Sequence, residues 1–366
     1  MKHRIATLTA ITLIAAACST GTGATTTVSD TMDPNDSSTT TAPIPSPQKV
    51  VVMTHDSFAI SDATLAAFTE QTGIKVELLP SADAGTMVSQ AVLTKDNPLA
   101  DVIYGFDNTF LSRVLEEDLL VAYTSANVEA LDPSLLLDTT GRATPVDFSD
   151  VCLNIDKSAF GSTPPPTTLL DLTKPAYRSM TVVENPTTSS PGLAFLLATI
   201  ETFGETGNYT WKDYWAGLVD NDVSIAAGWS EAYWGEFSAA SEGTRPIVVS
   251  YASSPPAEVI FASEPLDEAP TAVITDGCFR QVEFVGVVNG AARPTAAEAF
   301  IDFMTGVLFQ EDIPLNMFVF PANMEATLPP EFVKFTTLPA NPVMMDQDRI
   351  AQNRERWLDE WLELVR

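Results

Sequence analysis

Lys49-Val-Val-Val-Met-Thr54, Ile74-Lys-Val-Glu-Leu-Leu79 and Ala100-Asp-Val-Ile-Tyr104 are three short apolar runs, and what separates them decides the fold. Between the first two, Ser61 is placed to cap a helix that carries Leu65 and Phe68 and ends at Gly73. Between the second and third, Ser81-Ala-Asp-Ala-Gly85 leads into another helix, and Gly105-Phe-Asp-Asn108 leads into one more. A β-α-β-α-β-α order calls for a doubly wound α/β lobe with a mostly parallel sheet. Ligands of such sheets gather at the carboxyl ends of the strands. His55, Asp56, Asp83 and Asp107 all lie just past a strand end.

Upstream, the chain begins with an address. Lys2, His3 and Arg4 precede an apolar run, Ile5 to Ala17, which is too short to span a bilayer and reads as a cleaved signal over residues 1–17. The small residues of Ala15-Ala-Ala-Cys18 resemble a bacterial lipobox, which makes Cys18 the lipid-bearing first residue; the alternative is ordinary cleavage with an unlipidated cysteine. Residues 18–47 are Ser, Thr, Pro, Gly, Asp and Asn with almost nothing apolar, so they cannot offset the entropy of ordering and are expected to form a disordered tether. An exported, membrane-anchored protein outside the cytoplasm follows.

Downstream, an irregular stretch from about 120 to 150 precedes Asp150-Val-Cys-Leu-Asn-Ile155, a strand that crosses into a second lobe. Met180-Thr-Val-Val183 and strands near 222–226, 247–251 and 272–275 build that lobe, and Gln281-Val-Glu-Phe-Val-Gly-Val287 is the return crossing. The expected division is therefore 48–149 with 284–366 in one lobe and 150–283 in the other. Ser190 is read as an N-cap with Pro191 at the first helical position, and the hydroxyls around it as either capping groups or a phosphate seat. Ala296 to Thr305 and Ile350 to Val365 are helices. On the latter, Trp357 and Trp361 are spaced for packing. Phe318-Val-Phe-Pro321 is expected in a loop facing the cleft.

The formal charge is −29, and removing the signal's Lys2 and Arg4 makes it −31. Phosphate backbones need basic patches, so nucleic acid is not an expected partner. Ala227-Gly-Trp-Ser-Glu-Ala-Tyr-Trp-Gly-Glu-Phe237 crowds Trp229, Tyr233 and Trp234 beside Glu231, and Pro246 to Ser250 delivers Tyr251 into a small-residue turn. Rings beside acids suit a flat aromatic cation, while the same spacing also fits a helix packing into a core. After Cys18 only Cys152 and Cys278 remain, an even pair expected to form a disulfide in an oxidising compartment.

His55-Asp-Ser-Phe58, Gly105-Phe-Asp-Asn108, Thr188-Ser-Ser-Pro-Gly-Leu193, Gly228-Trp-Ser-Glu-Ala-Tyr233 and Ser250-Tyr-Ala-Ser-Ser-Pro255 resemble, in this order, the thiamine-binding proteins of bacterial ABC importers. The resemblance extends from about residue 49 to 366 and implies a type II periplasmic-binding-protein fold, with two α/β lobes, two interlobe crossings and a ligand closed between them. It implies ring contacts from Trp229 and Tyr251, an aminopyrimidine contact from Asp83 and a polar contact from Ser189. It also marks departures: His55 and Ala257 stand where enterobacterial members have tyrosines, and Phe318 where they have a tryptophan. The ligand-binding set so expected is His55, Asp56, Asp83, Asp107, Ser189, Trp229, Tyr233, Tyr251 and Phe318, with Glu231 a further candidate counter-charge.

Thiamine, or one of its phosphate esters, is the implied ligand, an ABC permease and its ATPase are the implied partners, and the chain is expected to act as a monomer hinged near 150 and 283. No cofactor, catalysis or bound metal is expected. Two other readings stay open. A polyamine or ferric iron are alternative cations, although iron would want more oxygen ligands than the two nearby tyrosines offer. A thiaminase I-like enzyme would need Cys152 or Cys278 as a free thiol.

Overall fold

The computed structural model describes residues 48–366. The expected signal, Cys18 and tether lie outside the described residues.

The three apolar runs form β1 (Lys49–Thr54), β2 (Lys75–Pro80) and β3 (Val102–Asp107), with β1 parallel to both neighbours. Helix Asp62–Thr72 between β1 and β2 starts where Ser61 accepts from Thr64 N and stops at Gly73, whose φ of 72° only glycine adopts easily. Further along lie β4 (Leu120–Val121), β5 (Thr144–Asp156), β6 (Thr181–Glu184), β7 (Ser224–Ala226), β8 (Ile247–Tyr251), β9 (Thr271–Val288) and β10 (Phe320–Pro321). All ten join one sheet in the order β2-β1-β3-β9-β5-β8-β6-β7, with β4 on β9 and β10 on β5.

Two parallel groups, β2-β1-β3 and β8-β6-β7, are thus linked by the antiparallel pair β5 and β9. β3 pairs with Glu283–Val287 at the end of β9, whereas β8 pairs with Val151–Ile155 at the end of β5. Each parallel group with its helices makes a lobe, and β5 and β9 run through both as the two crossings.

The crossings are longer than their sequence suggests. The stretch up to 150, expected to be irregular, already contains the first residues of β5. Pro145 argues against a strand, but it sits where the register shifts, so its missing N–H interrupts no regular ladder. The expected strands at 272–275 and 281–287 are one strand, β9. Between them Asp276-Gly277 forms a bulge: Leu153 opposes Ile274 while Val151 opposes Phe279, and Gly277 takes φ 68°. Cys152 and Cys278 are disulfide-bonded at this bulge and buried, so the expected pairing is present. Neither sulfur is a free thiol, which removes the cysteine-enzyme alternative.

Helix Ser190–Phe203 is capped by Ser189, not Ser190: Ser189 is extended, at φ −118° and ψ 136°, and its Oγ accepts from Gly192 N. Pro191 is consequently the second helical residue. The C-terminal helix Gln347–Leu364 buries Trp357 and Trp361, with Trp361 edge-on to Trp215 at 5.5 Å. It rests on helix Leu111–Glu116 of one lobe and helix Trp211–Asp220 of the other, and Arg356 pairs with Glu205 at 2.8 Å. Among the described residues no helix is long and apolar enough to cross a membrane.

Candidate functional site

A cleft of about 390 Å³ opens where the strand ends of the two lobes face each other. Its second-lobe wall is aromatic. Trp229 opens a single helical turn, Trp229–Glu231, which widens into a π turn over Ala232–Glu236. Four positions apart on this turn, Trp229 and Tyr233 lie face to face, 4.9 Å apart and 19° from parallel, with Tyr251 6.4 Å from Trp229. The two readings of this stretch are both realised: Tyr233 is buried, while Trp229 and the half-exposed Trp234 face the cleft. The stacked pair has its polar atoms occupied: Trp229 Nε1 donates to Ser250 Oγ at 2.9 Å and Tyr233 Oη to Glu258 Oε1 at 2.8 Å.

The first-lobe side and the floor are acidic. Asp83 caps helix Ala84–Leu93 and is 8% exposed. Its Oδ1 accepts from Ala84 N (2.6 Å) and, across the cleft, from Ser190 N (3.2 Å); its Oδ2 accepts from Trp229 N (2.9 Å). One carboxylate thereby meets the amino ends of helices in both lobes, where the backbone dipoles favour negative charge. Burial still holds its pKa above the ordinary carboxylate value, outweighing those donors. A Cβ on residue 228 would stand 2.9 Å from Asp83 Oδ2, so Gly228 is what permits this approach.

Beneath lie four more buried acids. Asp107 accepts from Thr109 N and Thr109 Oγ1 through Oδ1, but its Oδ2 has no partner, and burial pushes it up to about 6. Asp147 on β5 is directly opposite Glu283 on β9. Tyr104 Oη donates to Asp147 Oδ2 at 2.5 Å and lies 3.2 Å from Glu283 Oε2. Burial pushes Asp147 up to about 7, and burial together with the facing Asp147 holds Glu283 well above its usual range. Both oxygens of Glu184 are unpartnered, and burial raises it strongly as well. Burial, then Glu283, Asp83, Asp107 and Glu184 in turn, raise the Tyr251 phenol, which ties the wall's ring to the acids below it.

His55, just past β1, is the one basic side chain among the described residues within ion-pair reach of Glu283, its Nε2 3.6 Å from Oε1. Burial lowers it to about 4, so at neutral pH it is uncharged and brings no cation to the floor. It packs against the bare backbone of Gly105, where a Cβ would come within 2.1 Å of the ring.

Of the residues expected from the sequence, His55, Asp56, Asp83, Trp229, Tyr233, Tyr251 and Phe318 line the cleft. Ser189 does not: it is fully buried as a helix cap, and its neighbour Ser190 lines the cleft instead. Asp107 lies beneath the surface with no exposure. Glu231 turns away to accept from Ala227 N. Sequence reasoning missed Asp147, Glu184, Glu283 and Glu258. The signal for two of them was an acid inside an apolar run, in Val146-Asp-Phe148 and Val282-Glu-Phe284.

A two-lobed sheet with an acid-floored interlobe cleft is the architecture of a capture protein, and the family model described as bacterial extracellular solute-binding protein matches residues 97–353. The chain belongs to that family. This solute-binding protein is 28% identical to the thiamine-binding periplasmic protein of Salmonella typhimurium, over 86% of its own length and 93% of the relative's. It is likewise 28% identical to that of Escherichia coli, over 89% and 96%. Among solved structures it resembles a periplasmic thiamin binding protein with TM-score 0.76 and 25% identity, covering 87% of this chain and 96% of that one. Iron-bound HitA from Pseudomonas aeruginosa, at TM-score 0.71 and 18% identity over 87% and 99%, shares the fold. The fold is that of type II periplasmic binding proteins. As a member of the family the protein captures a solute outside the cytoplasm and does no catalysis. Among its described residues no group of three or more His, Cys, Asp or Glu is placed to hold a metal ion.

Proposed function

We propose that this solute-binding protein captures thiamine between its lobes and delivers it to an ABC permease and its ATPase. The observation that carries the reading is the pairing of a stacked ring wall, Trp229 on Tyr233 with Tyr251 beside it, with a floor of buried acids whose basic neighbour among the described residues, His55, is uncharged at neutral pH. Thiamine brings a permanent positive charge and a flat aminopyrimidine. A desolvated cation–π contact contributes about 2 kcal/mol and a hydrogen bond to a charged group about 1.5–3. Several such contacts, in a cleft whose closure excludes water, are what a nanomolar-class site of about −12 kcal/mol is built from, set against the cost of association. The relatives named for thiamine support the same ligand.

The unphosphorylated vitamin fits better than its esters. The amino end of helix Ser190–Phe203, the natural phosphate seat, already receives the Asp83 carboxylate, and a phosphate brought there would meet like charge. His55, Asp56, Asp83, Trp229, Tyr251 and Phe318 are the proposed ligand contacts. The proposed lobes are 48–149 with 284 onward, and 150–283, hinging where β5 and β9 cross. The C-terminal helix, part of the first lobe by this division, also rests on the second. We further propose export under the leader, lipidation of Cys18, a tether to residue 47 and action as a monomer. Mass spectrometry of the membrane-extracted protein checks the lipid.

The test of function is calorimetry with thiamine, thiamine phosphate and spermidine, after refolding has stripped any co-purified ligand. Tight thiamine binding that weakens in Trp229→Ala supports the reading. Spermidine or iron bound in place of thiamine would keep the scaffold and overturn the ligand.

A further inference from the structure

The register of β5 and β9 sets Asp147 opposite Glu283 at the cleft floor. Side chains facing across an antiparallel pair stand close, and two like charges there repel. Asp147 has no exposure and Glu283 has 8%, so solvent screens them little. Only one donor lies between them, the Tyr104 hydroxyl, and a single proton cannot serve two carboxylates.

The surrounding elements bring no relief. β3 adds another acid, Asp107, and β8 the neutral phenol of Tyr251. The segment after helix Val307–Asn316 offers the Met317 thioether, 3.5 Å from Tyr104 Oη. The end of β1 supplies His55, kept neutral by burial, whose Nε2 has no hydrogen-bond partner. Asp147 Oδ1 is also unpartnered, while Glu283 lines the cleft. Burial pushes Asp147 up to about 7, and burial with the facing Asp147 holds Glu283 well above its usual range.

We propose that Asp147 and Glu283 share one proton before capture, and that the pair gives it up to solvent when the ligand's cation settles against Glu283. This rests on thiamine as the ligand, whose charge is permanent. One fixed positive charge enters, one proton leaves to the buffer, and the charge on the floor is unchanged. Glu283 becomes the carboxylate that recognises the cation, and Asp147 the partner that keeps it neutral until then. Affinity therefore rises with pH until the pair is already ionised in the free protein, then levels off.

The experiment is calorimetry of thiamine binding at pH 7 in buffers of widely different ionisation enthalpy. Observed heat plotted against buffer enthalpy should give a slope of about one proton released per thiamine. A zero slope with clear binding overturns the proton linkage and leaves the thiamine reading standing. Absence of binding heat and of competition overturns the thiamine reading, and this inference with it. In Glu283→Gln the slope should collapse and affinity fall about 10- to 100-fold. Undiminished proton release in that variant would overturn the assignment. If the variant does not fold, the wild-type slope alone decides.

Discussion

The two sides of the cleft are built on opposite principles. On the aromatic wall Trp229 and Tyr233 have each spent their polar atom on a protein partner, Ser250 or Glu258. On the floor Asp107, Asp147, Glu184 and His55 each keep at least one buried polar atom without a partner. An unsatisfied buried group costs about 1–3 kcal/mol. The wall is settled by folding alone, whereas the floor is settled only when something positive arrives. Shape is held by the first and the demand for charge by the second.

The largest effect expected is on what holds the floor's strands together. The disulfide joins cysteines 126 positions apart in the chain. Replacing both Cys152 and Cys278 by Ala should lower stability by about 2–5 kcal/mol in urea unfolding. If the wall folds largely on its own terms, the stacked-ring near-UV signal should survive until the main transition. Next comes Trp229→Ala, which removes a stacking face and should weaken thiamine about 100-fold, or about 2.7 kcal/mol, by calorimetry. A loss under fivefold would break the division of labour by moving recognition to the floor.

The unliganded protein's pH dependence should sharpen it. Carboxyls held above their unfolded values favour the protonated form, so their contribution is complete in acid and is lost as pH rises through the folded values. Asp107 at about 6 and Asp147 at about 7 set that window, with Glu184 and Glu283 raised in the same sense. His55, depressed to about 4, works oppositely, losing its contribution as pH falls below 6.5. The floor's four acids, with Asp83 raised in the same sense, outweigh one histidine and should make the unliganded protein melt higher at pH 5.5 than at pH 8, with thiamine narrowing the gap. Glu184→Gln removes one of the four without touching the cleft lining and should add about 1–2 kcal/mol at pH 8, measured by denaturant midpoint. The smallest change belongs to the wall: Tyr233→Phe forfeits one hydrogen bond, costing about 1 kcal/mol of stability and less than threefold in affinity.

The contrast also explains what the sequence revealed. The β-α-β order and the crowded rings around Trp229 are local patterns, legible because strand period, capping and ring density are written in neighbouring residues. The floor is not local. Asp147 and Glu283 meet only through the register of two strands far apart in the chain, and each sits in a run that resembles an ordinary half-exposed strand. The break at Asp276-Gly277 hid β9 behind turn residues, though Asp276 is in fact accepting from Leu169 N. The one-residue shift from Ser190 to Ser189 arose because proline was assigned its favoured first helical position, and here it takes the second. Asp83 was legible as a site residue but not as a bridge, because its partners Ser190 and Trp229 belong to the other lobe.

The crossing strands have a kinetic consequence. The lobe built on β1, β2 and β3 is not a continuous stretch of chain: β3 leans on the end of β9, and β5 cannot finish pairing until residues after 270 have been made. Folding waits on contacts between distant segments, and such topologies fold slowly. A chain destined for work outside the cytoplasm gains from that delay, since it remains threadable while the last part of its sheet is still being synthesised. The architecture that shapes the cleft also makes it one of the last parts of the sheet that can form.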